Sequence, residues 1–418
     1  MQARPKNRLP RPRPLIAALA AFASCGAWAE DPSPFYIGVT QSLTRDSNVN
    51  RLSDGVVDPQ GRSDIYSSTG LVGGFDQPFG RQNFRGTADI RYNRYRNHDD
   101  LNNTSYGLNA GWDWNTVYNL SGGINVSANQ SLAQLNGNNL ASTTSRNLVK
   151  TQQISANAGW GGTGLLSIRG GYTHSRVRFA DQTTGSRDSS GDTGSIGAYY
   201  NLSPDLTTGV ALRLSRTDEA LSGSSDGRNI DLSVNWRSSA QTGVNARLSF
   251  TRQSNAGGGN QDFSGLTGSI AANYAPTGKL AFSLSYNRDA GSNGTFFNAP
   301  VSTGTTTTVT PLLFENSQVS DSVGFGATYS ATAKIAVTAG YQYRKARITN
   351  STAVGNVSVG GGSYDDKLQS ASLGASWAIA RPWQLSCNVS HEKRDASSAA
   401  ALRYTANVVN CAAQFTFR

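Results

Sequence analysis

Methionine is almost missing from this 418-residue chain, with a single copy, and there are only three cysteines and three histidines. His98, His174 and His391 are scattered at no metal-ligand spacing, so no zinc centre is expected. Ser390-His391-Glu392 makes no catalytic triad, because neighbouring side chains of an extended strand point to opposite faces. No apolar run approaches the roughly 20 residues that a membrane helix needs, and no stretch repeats with a helical period. Neither an enzyme nor a cofactor is expected from what remains.

The N-terminus has a plan of its own. Arg4, Lys6, Arg8, Arg11 and Arg13 precede a short apolar run from Leu15 to Ala23, and Ala27-Trp28-Ala29 follows. Basic, apolar and small residues in that order predict a cleaved signal peptide over 1–29 and an exported chain over 30–418. Phe22-Ala23-Ser24-Cys25 offers a lipoprotein alternative, but phenylalanine opens that motif poorly and a good Ala-x-Ala site follows. The formal charge of +10 includes five basic residues of the leader; without them 32 basic residues face 27 acidic ones. Nothing in that balance calls for nucleic acid.

Glycine, serine, asparagine and threonine dominate evenly from end to end, without a linker. In Leu280-Ala281-Phe282-Ser283-Leu284-Ser285-Tyr286 the large apolar residues take every second position. Phe35-Ile37-Val39, Phe84-Ala88-Ile90-Tyr92, Ile230-Leu232-Val234-Trp236, Val244-Ala246-Leu248-Phe250 and Ile335-Val337-Ala339-Tyr341-Tyr343 repeat the pattern. A period of two with one apolar face marks strands that meet lipid on one side and water on the other. Tight links near Gln77-Pro78-Phe79-Gly80, Ser203-Pro204-Asp205, Pro276-Thr277-Gly278-Lys279 and Ala380-Arg381-Pro382 alternate with longer polar segments at 45–63, 131–146, 180–192, 289–316 and 347–364. Together these predict an all-β, transmembrane, antiparallel up-and-down barrel of about eighteen strands, in the lipid of a Gram-negative outer membrane, both termini periplasmic. A soluble β-sandwich or β-helix is the alternative, but it would leave edges open and has no need to alternate short with long connections.

Whatever lies opposite the lipid-facing parity must point inward. Arg85, Arg91, Arg169, Arg213, Arg247 and Arg344 fall there, with Asp89, Asp113 and Asp231. This predicts a lumen of both signs that tilts basic. Either the arginines pair with those aspartates and stiffen the wall, or as a set they form a positive lining suited to an acidic glycan. Phe296-Phe297 and Leu312-Leu313-Phe314 lie within 289–316, which either folds inward as a constriction or cap, contacts a partner, or is an ordinary surface loop. Cys387 and Cys411 fall on the last two predicted strands, in a register that centres their turn on Ala399, and share the lipid-facing parity. A cross-strand disulfide is expected, against the alternative of two free thiols.

Several segments resemble the EpsL-type outer-membrane proteins of exosortase-associated exopolysaccharide clusters, a branch of the β-barrel porins. The points of contact are Asp46-Ser47-Asn48-Val49-Asn50-Arg51-Leu52, Gln77-Pro78-Phe79-Gly80-Arg81-Gln82, Arg91-Tyr92 with Arg94-Tyr95, Trp112-Asp113-Trp114, Ser131-Leu132-Ala133 and Arg146-Asn147-Leu148. The N-terminal third carries most of the match. The resemblance implies a conduit or anchoring component in the biosynthesis or export of extracellular polysaccharide. An anionic or neutral polysaccharide and other parts of an export apparatus would be its partners. Patterning alone implies only a porin-like barrel, which leaves a general or solute-specific uptake porin as the alternative.

Overall fold

The computed structural model describes residues 33–133, 146–162, 164–180, 188–220, 223–256, 262–293, 300–303, 306–309, 315–354, 357–397 and 403–417. Within 291–318 and 348–362 it describes backbone alone. The predicted leader, 1–29, lies outside these residues.

Eighteen strands form one antiparallel sheet. They are β1 (Phe35–Asp46), β2 (Asp64–Phe79), β3 (Gln82–Tyr95), β4 (Asn103–Asn115), β5 (Leu120–Leu132), β6 (Leu148–Trp160), β7 (Leu166–Phe179), β8 (Ser189–Ser203), β9 (Leu206–Glu219), β10 (Gly223–Trp236), β11 (Thr242–Asn255), β12 (Phe263–Thr277) and β13 (Leu280–Asn293). After a separate small hairpin of β14 (Pro300–Thr303) and β15 (Thr306–Val309) come β16 (Glu315–Ser330), β17 (Ile335–Val354), β18 (Val357–Ala380), β19 (Trp383–Ala396) and β20 (Tyr404–Phe417). The sheet closes on itself: β1 pairs with β2 on one side and with β20 on the other, Ile37 opposite Phe417 and Asp46 opposite Val408. Closure satisfies every strand's backbone inside the ring, which is the condition for crossing a bilayer with β-structure.

The alternation in the sequence becomes two faces of one wall. Ile37, Ile196 and Leu373 keep about 58–60% of their surface exposed, and the same parity on every strand carries the other exposed apolar side chains. On β3 that face runs from Phe84 to Tyr92, on the order of 25 Å along the strand. A soluble protein does not expose a continuous apolar band of that kind; a bilayer requires it. Six of the seven tryptophans, Trp112, Trp114, Trp160, Trp236, Trp377 and Trp383, sit at the short-turn rim. Trp112 stacks on Phe84 at 5.9 Å and Trp383 packs against Phe415 at 4.7 Å. Amphipathic rings favour the lipid headgroup level.

The short turns fall where the sequence put them. At Gly80 the backbone takes φ 61°, the left-handed region that glycine enters without a Cβ clash. The long-loop end departs from expectation. Segment 347–364 is a tall hairpin in which β17 and β18 stay paired to Val354 opposite Val357. Likewise 289–316 holds the ends of β13 and β16 and the β14–β15 hairpin; Phe296-Phe297 and Leu312-Leu313-Phe314 lie outside the described residues. In 180–192, β8 already begins at Ser189. Polar, glycine-rich composition resembles loop composition, but a hairpin standing in water needs no apolar face, so period-two hydrophobicity cannot mark it.

Cys387 and Cys411 are directly opposed, with Cα atoms 4.1 Å apart, somewhat closer than the usual opposed spacing, and their sulfurs are bonded. Both lie on the lipid-facing parity of the last hairpin, formed by β19 and β20. Alkylation of the purified protein without reductant is expected to leave both cysteines unlabelled by intact mass, and two added labels would disprove the bond.

Candidate functional site

The inner face is mostly polar, with Val72, Val177 and Phe179 among its buried apolar residues, and register sets its contents. On β3 and β4, Arg85 pairs with Asp113 and donates to Asn125 at 3.2 Å, while Arg91 and Asp89 approach to 3.4 Å on one strand. Arg169 lies over the Tyr199 ring, 4.7 Å from its centre. Arg213 makes a two-point contact with Asp231 at 2.9 and 3.1 Å. Arg344 donates to Asp366 at 3.0 Å, and Arg394 holds the same carboxylate at 2.8 and 3.2 Å. Arg247 Nε is buried without a hydrogen-bond partner among the described residues.

All six arginines therefore share the inward parity, but four of them are in ion pairs. The expected basic tilt is not kept. Asp46, Asp64, Asp76, Asp289, Asp366 and Glu392 occupy the same inner face as Asp89, Asp113 and Asp231. Acidic side chains thus outnumber arginines there among the described residues. Of the additional acids, Asp46, Asp64, Asp289, Asp366 and Glu392 lie toward the long-loop ends of their strands, beyond the apolar alternation from which parity is read.

At the long-loop end the segment between β1 and β2 folds onto the inner face and caps the ends of β1, β19 and β20. Asn48 organises it: its amide nitrogen donates to the carbonyls of Leu52 at 2.9 Å and Thr405 at 3.2 Å, and its side-chain oxygen accepts from the Leu52 amide at 2.8 Å. Ser47 and Asp54 donate backbone hydrogen bonds to Asn407 and Arg403. The turn requires φ 50° at Arg51, an uncommon conformation for a residue with a Cβ. Its buried guanidinium holds it there, 2.7 Å from Asp46 and 3.5 Å from Glu392. Burial opposes the Arg51 charge, yet Asp46 and Glu392 outweigh it and hold the group above its ordinary range. Tyr404 donates to Glu392, so β19 and β20 take part in the same network.

A second connection, 96–102, locks onto the first. His98 is 1% exposed, with Nδ1 2.9 Å from Asp64 and Nε2 3.3 Å from Asp58. Its backbone amide and that of Asn97 also donate to Asp64. Leu52 and Leu101 are buried. Sequence reading missed this cap: His98 looked isolated, and its two carboxylate partners lie 34 and 40 residues away. The signal that pointed here was the Asp46–Leu52 motif, noticed only as a likeness.

At Asp58, burial works against ionisation, but the Gln60 amide, His98 and Asn50 outweigh it and hold the carboxyl below its ordinary range. A depressed carboxyl contributes stability that is complete above the unfolded value, about pH 3.9, and lost as pH falls through the folded one. A spin label at Val57→Cys, an 85% exposed position, is expected to show unchanged mobility from pH 8 to about pH 4 and release only below that. Release that begins above about pH 5 would disprove this account of the cap.

Among the described residues no group of three or more His, Cys, Asp or Glu is placed to hold a metal ion. A closed eighteen-stranded wall with an apolar exterior and a polar, partly capped interior defines a transmembrane β-barrel of the outer-membrane type. No protein-family model matches the chain, and no curated protein does. Solved structures do. OccAB3 of Acinetobacter baumannii is 12% identical, covering 92% of this chain and 99% of that one, with a TM-score of 0.47. OpdL of Pseudomonas aeruginosa is 11% identical over 92% and 99%, with a TM-score of 0.43. The FrpB iron transporter of Neisseria meningitidis (F5-1 variant) is 10% identical over 92% and 82%, with a TM-score of 0.47.

Proposed function

We propose that the protein serves extracellular polysaccharide production, as a conduit through the outer membrane or as a barrel that anchors the export apparatus there. The observation that carries this reading is the lining of β4–β6, where Asn109, Asn125, Ser127, Asn129, Gln153 and Asn157 share the inward parity. Amides and hydroxyls both donate and accept, as sugar hydroxyls do. With most interior arginines neutralised, a neutral or weakly charged polysaccharide suits this wall better than a strongly anionic one. The cap built from Asp46–Leu52, a segment that resembles the EpsL-type proteins, supports controlled passage over free diffusion. In this reading the short-turn rim, where Phe35 and Phe417 lie, faces the periplasm, and the protein carries out no reaction of its own.

The test is a deletion strain assayed for extracellular polysaccharide and complemented with the intact gene. Secreted polysaccharide should fall several-fold and recover on complementation. Normal secretion together with slowed entry of small solutes would replace the proposal with an uptake porin.

A further inference from the structure

On the outside of the wall, at the long-loop rim, the apolar belt ends on positive charge on several strands, whereas on β16 it ends on Asp321. The next outward-facing residue after Leu43, Tyr92, Ile230 and Phe250 is Arg45, Arg94, Arg228 and Arg252 respectively. Two of these face each other directly, Arg228 opposite Arg252 on β10 and β11. On β6 and β7 Lys150 stands opposite Arg178 in the same way. Directly opposed like charges destabilise a sheet pair. All four side chains are exposed, and none has a hydrogen-bond or ion-pair partner among the described residues. On that face Asp226, two residues from Arg228, lies 4.0 Å from Arg216.

Strands about 4.8 Å apart bring two guanidinium forks to one point. Two adjacent positive charges with fork-shaped donors match the oxygens and near-double negative charge of a phosphate monoester. The height is that of the lipid headgroups, since the pair is one outward-facing step beyond the belt. We propose that Arg228 and Arg252 together bind the phosphate monoester of an anionic glycolipid in the surrounding leaflet, and that Lys150 and Arg178 form a second site of the same kind. The anion relieves the repulsion that the bare wall carries, and the bound lipid seals the rim of the barrel.

Native mass spectrometry of the folded full-length protein tests this with three probes: a bisphosphorylated acyl glucosamine disaccharide, its dephosphorylated form, and inorganic phosphate. The phosphorylated lipid should stay bound at least about tenfold more tightly than the dephosphorylated one, as expected for lost charge-assisted hydrogen bonds. The R228Q/R252Q variant, checked for wild-type heat-modifiable gel mobility, should lose about tenfold in affinity for the phosphorylated lipid alone. Equal retention of the two lipids by the unaltered protein would overturn the proposal whether or not the variant folds. Displacement of the lipid by millimolar inorganic phosphate would also overturn it, because the site would then recognise free phosphate.

Discussion

Replacing Arg51 with glutamine is expected to raise single-channel conductance in planar bilayers several-fold and to make the 47–63 segment accessible to protease. Arg51 and Asp46 are nearly excluded from solvent, with side chains 4% and 7% exposed. Removing one member of such a pair leaves a buried charge unmatched, at a cost of about 3–5 kcal/mol. That shifts the balance between closed and lifted cap by roughly two to three and a half orders of magnitude. The substitution also removes the contact that holds φ 50° at this residue, so the strained turn loses its reason to persist. The strands below are paired independently of the loop, so the barrel should survive with its heat-modifiable mobility unchanged. Wild-type conductance and wild-type protease resistance in the variant would mean that the cap does not depend on this cation.

The second large effect concerns charge selection. Replacing Arg85, Arg91, Arg169, Arg213, Arg247 and Arg344 by glutamine should turn a mildly acidic interior into a strongly acidic one, because Asp89, Asp113 and Asp231 would lose their partners and Asp366 would keep only Arg394. Fixed charge on a confined wall concentrates counter-ions by on the order of tenfold or more. The reversal potential under a salt gradient should therefore move toward the cation limit, and the shift should shrink as ionic strength rises. A single Asp231→Asn change should move it the other way, since Arg213 would be released and Arg247 already has an Nε without a partner. Unmoved reversal potentials would place these arginines outside the ion path.

The likeness of the cap motif to a known family was visible before its physical role was. Asp46, Asn48, Arg51 and Leu52 are adjacent enough in sequence to be read as a unit, and within the loop they form one. What they hold on to is not adjacent. Glu392, Tyr404 and Thr405 come from the far end of the chain and reach Asn48 and Arg51 only because β20 closes against β1. His98 is the clearest case of a residue whose role local reading cannot supply.

By itself the sequence determined the closed, lipid-facing wall, its strand number, its short turns and the inward parity of all six arginines. It also determined the opposed register of Cys387 and Cys411. The reason is that a strand's two faces and a hairpin's register are set by neighbours in the chain, and lipid imposes one strict choice on every second residue. Only the tertiary structure decided which arginines are neutralised, that the inner face leans acidic, that 347–364 stands up as paired strands, and that two loops lock together at the strand ends. Those outcomes depend on which side chains meet across the closed ring and above the membrane. There neither the period of two nor the contrast between lipid and water constrains the residue.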